Sequence, residues 1–183
     1  MSSTDILTVS DAQTSLGVTG SEGDLQDYVS AATAIVEDIT GPVIQRSVSE
    51  TFDGGQLAVI LKYPVVEVTT VTENGVTVDS TGYTATAGQR IMWRGGQTLS
   101  LAWAVGRQNV TVAYTAGIVS DYSSVPANLR LAARELVRVW WQVGRQGNRP
   151  GFGDAPDDTV YTPSGYAVSP RIEALCHPHR LDP

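Results

Sequence analysis

The sequence predicts an α+β chain: a small helical bundle built from both ends, an antiparallel β-sandwich or barrel inserted between its helices, and an extended C-terminal tail. Three observations carry that prediction. Apolar residues recur at three-and-four spacing in two long stretches, about Asp24 to Thr40 and Pro126 to Val143, the period of a helix with one buried stripe. Between them, from Val43 to Gly117, the period drops to two and glycine-rich turns interrupt it, the pattern of short antiparallel strands. From Gly147 the chain reads Gly-Asn-Arg-Pro-Gly-Phe-Gly-Asp-Ala-Pro-Asp-Asp, which has no period and the composition of a linker. The expected boundaries are 1–42 with 120–146 for a helical domain, 43–119 for the β domain, and 147–183 for a tail that holds one short helix.

Taken in order, Ser10 and Asp11 open a short helix that Gly17 stops, a polar cap before and a glycine after. The second helix places Leu25, Tyr28, Val29, Ala32, Ile35, Val36 and Ile39 on one stripe, and Gly41-Pro42 ends it. Asp24 and Asp27 lie in its first turn, where the helix dipole favours negative charge. Seven to eight short strands follow. Asn74-Gly75 between Val71 and Val76-Thr77-Val78 marks a type I′ hairpin, because both residues tolerate positive φ. Tyr83 to Thr86, Arg90 to Trp93, Leu99 to Leu101 and Val110 to Tyr114 supply further strands. Ser124 or Val125 caps the long helix, with Pro126 as its first residue and Gly144 as its stop, the proline-first, glycine-last asymmetry of helices. Ser169-Pro170 opens a last short helix over Arg171 to Cys176, ended by Pro178.

The chain has 183 residues, 42% of them hydrophobic and 17% charged, enough for a buried core. No apolar run reaches the length of a membrane span. The first residues, Met-Ser-Ser-Thr-Asp, lack the basic and apolar regions of a signal peptide, so the expectation is a protein made and used without secretion. Cys176 is the single cysteine, which excludes an internal disulfide and a cysteine-rich zinc site. The net charge of −7 is uneven: residues 1–60 carry nine acids against Arg46 alone, while residues 118–183 balance seven acids with seven arginines. Opposite electrostatic faces suit copies that stack around a ring or onto a partner; a solvated acidic helix is the plainer alternative.

No catalytic, cofactor or metal site is expected. The chain has no Gly-x-Ser-x-Gly elbow and no phosphate-cradling Gly-x-x-x-x-Gly-Lys loop, the motifs that would announce a nucleophile or a nucleotide. Asp157-Asp158 falls in linker, and His177 and His179 flank Pro178 near the chain end without further ligands at metal spacing. Glu135 and Arg138 are set to pair at i,i+3 on the helix surface. Arg130, Arg134 and Arg138 recur every four residues as one ridge, extended by Arg145 and Arg149. That ridge is either a solvated face or a contact with an acidic neighbouring subunit or with phosphates in a channel. Adjacent Trp140 and Trp141 point about 100° apart. One belongs in the core with Leu136 and Val137, and the other packs on the β insertion or a neighbouring chain.

Three stretches in this order resemble a known family. They are the helix Leu25-Gln-Asp-Tyr-Val-Ser-Ala-Ala-Thr-Ala-Ile-Val-Glu-Asp-Ile-Thr-Gly41, the strand Leu61-Lys-Tyr-Pro-Val-Val-Glu-Val-Thr-Thr-Val71 before Asn74-Gly75, and Val110-Thr-Val-Ala-Tyr-Thr-Ala-Gly117 before Val125-Pro126 and the long helix. Together they resemble the head–tail connector, or adaptor, proteins of long-tailed bacteriophages, in the subgroup with a β domain between helices. The resemblance implies a virion protein made in the bacterial host cytoplasm. It would assemble as a ring, typically of twelve subunits, seated under the portal protein and above a tail-side stopper or tail-completion protein. Such a ring continues the DNA channel, lets DNA pass without sequence preference, and needs no cofactor, membrane or chemistry. On that reading Tyr161, Tyr166, Arg171, Ile172, Leu175 and Arg180 of the tail contact the portal or a neighbouring subunit. Arg130, Arg134 and Arg138 contact a subunit or the channel.

A rival reading is a carbohydrate- or receptor-binding β module on a helical stalk, supported by Trp93 and Trp103. It requires both aromatics exposed together on one face, whereas a connector leaves at least one of them in the β core.

Overall fold

The computed structural model describes residues 4–19, 22–96, 101–146 and 168–181. The chain divides into two compact units, Met1–Thr40 with Tyr122–Pro183, and Gly41–Asp121.

The first unit is helical. Among its described residues it has four α-helices, α1 (Val9–Leu16), α2 (Glu22–Thr40), α3 (Ala127–Gln146) and α4 (Pro170–Cys176). The cap of α1 is Thr8, not Ser10: its hydroxyl accepts from the Asp11 N–H at 3.0 Å and donates to the Asp11 carboxylate at 2.6 Å. Moving the cap to Thr8 puts Leu7 just outside the helix and Ala12 in its first turn, both buried, as in a hydrophobic staple. Ile6 is buried beside them, and its N–H donates to the Thr33 hydroxyl at 3.2 Å. Helices α2 and α3 pack together. Leu25, Val29, Ala32 and Val36 from α2 meet a core shared with Leu129, Ala132, Ala133, Leu136, Val137 and Trp141 from α3.

One expectation about α3 needs correction. Gly144 does not stop it, since the helix runs on to Gln146; one interior glycine costs only about 1 kcal/mol against alanine, too little to break a helix anchored a turn earlier. The two adjacent tryptophans share an aromatic partner on α2. Trp141 is buried, Trp140 half-buried, and both rings face Tyr28 of α2, at 6.1 and 6.5 Å between centroids.

The second unit holds seven strands among its described residues: β1 (Arg46–Phe52), β2 (Ala58–Ile60), β3 (Val65–Glu73), β4 (Val76–Thr77), β5 (Tyr83–Ala85), β6 (Ile91–Arg94) and β7 (Val110–Ala116). They form two antiparallel sheets, ordered β1-β7-β3-β4 and β2-β6-β5, and do not close into a barrel. The expected strand at Leu99–Leu101 falls largely on residues 97–100, outside the described residues. Strand β7 alternates without a break, burying Val110, Val112, Tyr114 and Ala116, and it pairs with β1 on one side and β3 on the other. Those side chains share one core with Val59 and Leu61, Val65 and Val71, Met92 and Trp103, so the two sheets bury a common set of residues. The hairpin β3–β4 turns at Asn74 (φ 51°) and Gly75 (φ 77°), the paired positive angles of the expected turn.

Candidate interaction surfaces

Helix α4 begins where Ser169 accepts from the Ile172 N–H, with Pro170 in the first turn, as its sequence predicts. Its apolar side is already occupied. Ile172 is 3% exposed and Cys176 is fully buried within the helical unit. Arg171 pairs with Glu135 of α3 at 2.8 Å, so Glu135 pairs with α4 and not with Arg138. Asn128 donates to the Leu175 carbonyl at 2.8 Å, and the Leu181 N–H donates to the Ile39 carbonyl at 3.3 Å. An exposed Arg180 lines a cleft of about 560 Å³ with Asp38, Ile39, Glu173 and His177. Of the tail residues expected to meet a partner, Arg171, Ile172, Leu175 and Arg180 are thus gathered on the α2–α3 pair, while Tyr161 and Tyr166 lie outside the described residues.

The arginine ridge separates into different environments. The Arg130 guanidinium turns back over the ring of Tyr122 at 5.7 Å and donates to the Val125 carbonyl at 3.0 Å. Arg134 is half-buried, and its charge reaches Asp11. Arg138 is exposed. The Tyr122 hydroxyl donates to the Asp11 carboxylate, which joins α1 to the turn before α3. Hydrogen bonds from Thr8 and then Tyr122 hold the Asp11 carboxyl below the usual carboxylate range, while burial and then Asp11 raise the Tyr122 phenol.

In the β unit, Trp103 is 1% exposed and Trp93 48%. The two aromatics therefore do not share an exposed face, which is the arrangement the carbohydrate-binding reading requires. Trp103 sits under the Arg94 guanidinium, 5.4 Å from its ring. Arg94 in turn pairs with Glu73 at 3.1 Å, and Glu73 also accepts the Ala104 N–H at 2.6 Å. Burial and the hydrogen bond to Glu50 raise the Tyr114 phenol far above its ordinary value. Among the described residues no group of three or more His, Cys, Asp or Glu could hold a metal ion, and no helix is long and apolar enough to cross a membrane.

Sequence reasoning missed Asp11, Tyr122 and Glu135 as the groups that tie the helical unit together. For Asp11 a signal existed, since Thr8 stands three residues before it, the spacing of a capping pair. Tyr122 and the partner of Glu135 come from distant segments and leave no local trace.

A family model described as head completion protein matches residues 5–181. The chain is also similar in fold to a chain in the neck of a native gene transfer agent particle computed with C12 symmetry, at 18% identity and a TM-score of 0.67, covering 96% of this chain and 88% of that one. A chain in the neck of the empty particle computed with C6 symmetry matches at 19% identity and a TM-score of 0.67, over 97% and 91% of the two chains. A chain of the virion of the native particle matches at 18% identity and 0.65, over 97% and 91%. No curated protein matches the sequence.

Proposed function

We propose, from the premise that the chain belongs to the head completion protein family, that it is a structural virion protein joining head to tail and working as a ring around the DNA channel. The carrying observation is the extent of the family match: residues 5–181 take in both the helical and the β unit, so the whole chain is shared and not a single borrowed module. Similarity in fold to neck chains of particles computed with C12 and C6 symmetry supports a cyclic assembly. The portal protein lies on one side of this ring and a tail-side stopper or tail-completion protein on the other.

The role calls for binding and geometry and no bond-breaking chemistry. A net charge of −7 repels phosphates and keeps passing DNA from sticking to the wall. The α4 segment, with Arg171 and Arg180 exposed, offers cations on a surface held rigid by the helices beneath it. The experiment is deletion of the gene in a particle-producing strain. DNA-filled heads and free tails that fail to join, rescued by supplying the gene in trans, support the role. Normally joined, infectious particles overturn it.

A further inference from the structure

Among the described residues of the helical unit, two helix surfaces are exposed, and their chemistries match. On α2 the exposed residues Asp27, Ala31, Ala34 and Asp38 follow i, i+4, i+7, i+11 and lie opposite the buried stripe Leu25, Val29, Ala32, Val36. They form a narrow shelf of small side chains with a carboxylate at each end. On α3 the last turns expose Arg138, Val139, Gln142 and Val143, beyond Asn128 and Glu135, which α4 engages. Val139 is 51% exposed and Val143 38%.

We infer that these two faces are the two halves of one contact between copies of this chain: the apolar, arginine-bearing face of α3 in one subunit docks on the acid-flanked alanine shelf of α2 in the next. The inference rests on the ring reading above and assigns residues to it. Three physical points support it. Small residues at 31 and 34 let a second helix approach to the 8–10 Å axis separation at which ridges and grooves engage, about the closest that helices pack. Arg138 is the cation of the α3 ridge that its own unit leaves exposed, since Arg130 folds onto Tyr122 and Arg134 lies half-buried near Asp11; it meets Asp27 or Asp38 across the contact. The two surfaces lie on different helices, so one copy uses its α3 surface while its α2 face stays open for another. A contact between unlike faces is heterologous, and a heterologous contact closes into a ring when its rotation divides a full turn.

Native mass spectrometry of the purified full chain over a concentration series tests this. The wild type is expected to form closed oligomers. Arg138→Glu, and separately Asp27→Arg with Asp38→Arg, should each raise the concentration for half-assembly by about tenfold or more, the scale of juxtaposed like charges. The combined charge-swapped chain should assemble again. Melting curves confirm that each variant is folded, which matters because Asp38 also borders the cleft under α4. As a second measurement, mixing Ala31→Cys protein with Val139→Cys protein under oxidation should give the mixed disulfide dimer. Rings that survive every charge variant, with no mixed disulfide, overturn this interface and leave the ring reading standing. A wild type that stays monomeric at all concentrations overturns the ring and this interface with it.

Discussion

The Tyr122 hydroxyl donates to the Asp11 carboxylate across 111 positions of sequence, closing the helical unit between a segment that precedes the β strands and one that follows them. Asp11 also takes the Thr8 hydroxyl, so one carboxylate serves as helix cap and as tie. Its folded pKa is depressed. The stability it adds is therefore complete above its unfolded pKa of about 4 and disappears as pH falls through the lower folded value. Asp11→Asn should melt below the wild type at neutral pH, and the difference should vanish under strongly acidic conditions. Melts across that range check it; a constant difference at every pH would show that the charge is not responsible.

Docking of α4 should depend on burial and hardly at all on its ion pair. Ile172 is 3% exposed, so Ile172→Asp places a charge in an apolar site at a cost of about 3 kcal/mol or more. Arg171 is mostly exposed in its pair with Glu135, and such pairs contribute about 0–1 kcal/mol. Glu135→Gln is thus expected to shift the melting temperature by at most about 4 °C, whereas Ile172→Asp should shift it by about 6 °C or more, at about 2–4 °C per kcal/mol for a chain of this size. Differential scanning calorimetry distinguishes the two; equal shifts would mean that α4 is held by charge.

In the β unit, Glu73→Ala should be costly although its side chain is near the surface. It removes both bonds from the Arg94 guanidinium to the carboxylate, leaving only the one to the Gly82 carbonyl, and takes the carboxylate from the Ala104 N–H. Losing partners of part-buried polar groups costs about 1–3 kcal/mol. Tryptophan fluorescence during denaturant unfolding reports it, and an unchanged midpoint would remove Glu73 from the account.

Val29→Asp, in the α2 stripe buried against α3, is expected to cost about 3–5 kcal/mol as an unpaired buried charge and to melt the helical unit. Far-ultraviolet circular dichroism with wild-type melting would contradict the packing of α2 on α3.

The long helices were legible because a one-sided stripe such as Leu25, Val29, Ala32 and Val36 can be buried only by a helix. The Asn74–Gly75 hairpin was legible because few residues accept φ of 51° and 77°. What failed was local punctuation and anything tertiary. Ser10-Asp11 looks like a cap as good as Thr8, and only the burial of Ile6 and Leu7 separates them. The tail gave Ile172 and Leu175 as anchors without saying for whom. The structure supplies the chain's own α2 and α3 as occupants of that apolar side, which leaves the cations Arg171 and Arg180 as the exposed part of the expected surface. Neither ion pair, Glu135 with Arg171 or Glu73 with Arg94, has a periodic signature, because each joins elements far apart in sequence.

The central claim, a ring at the junction of head and tail, is tested most directly by cryo-electron microscopy of purified particles with focused reconstruction of the neck. The expected density is a ring of copies of this chain around a DNA-wide axial passage, bounded by the portal on one side and tail components on the other. Particles whose neck shows no density that this chain fits would contradict it.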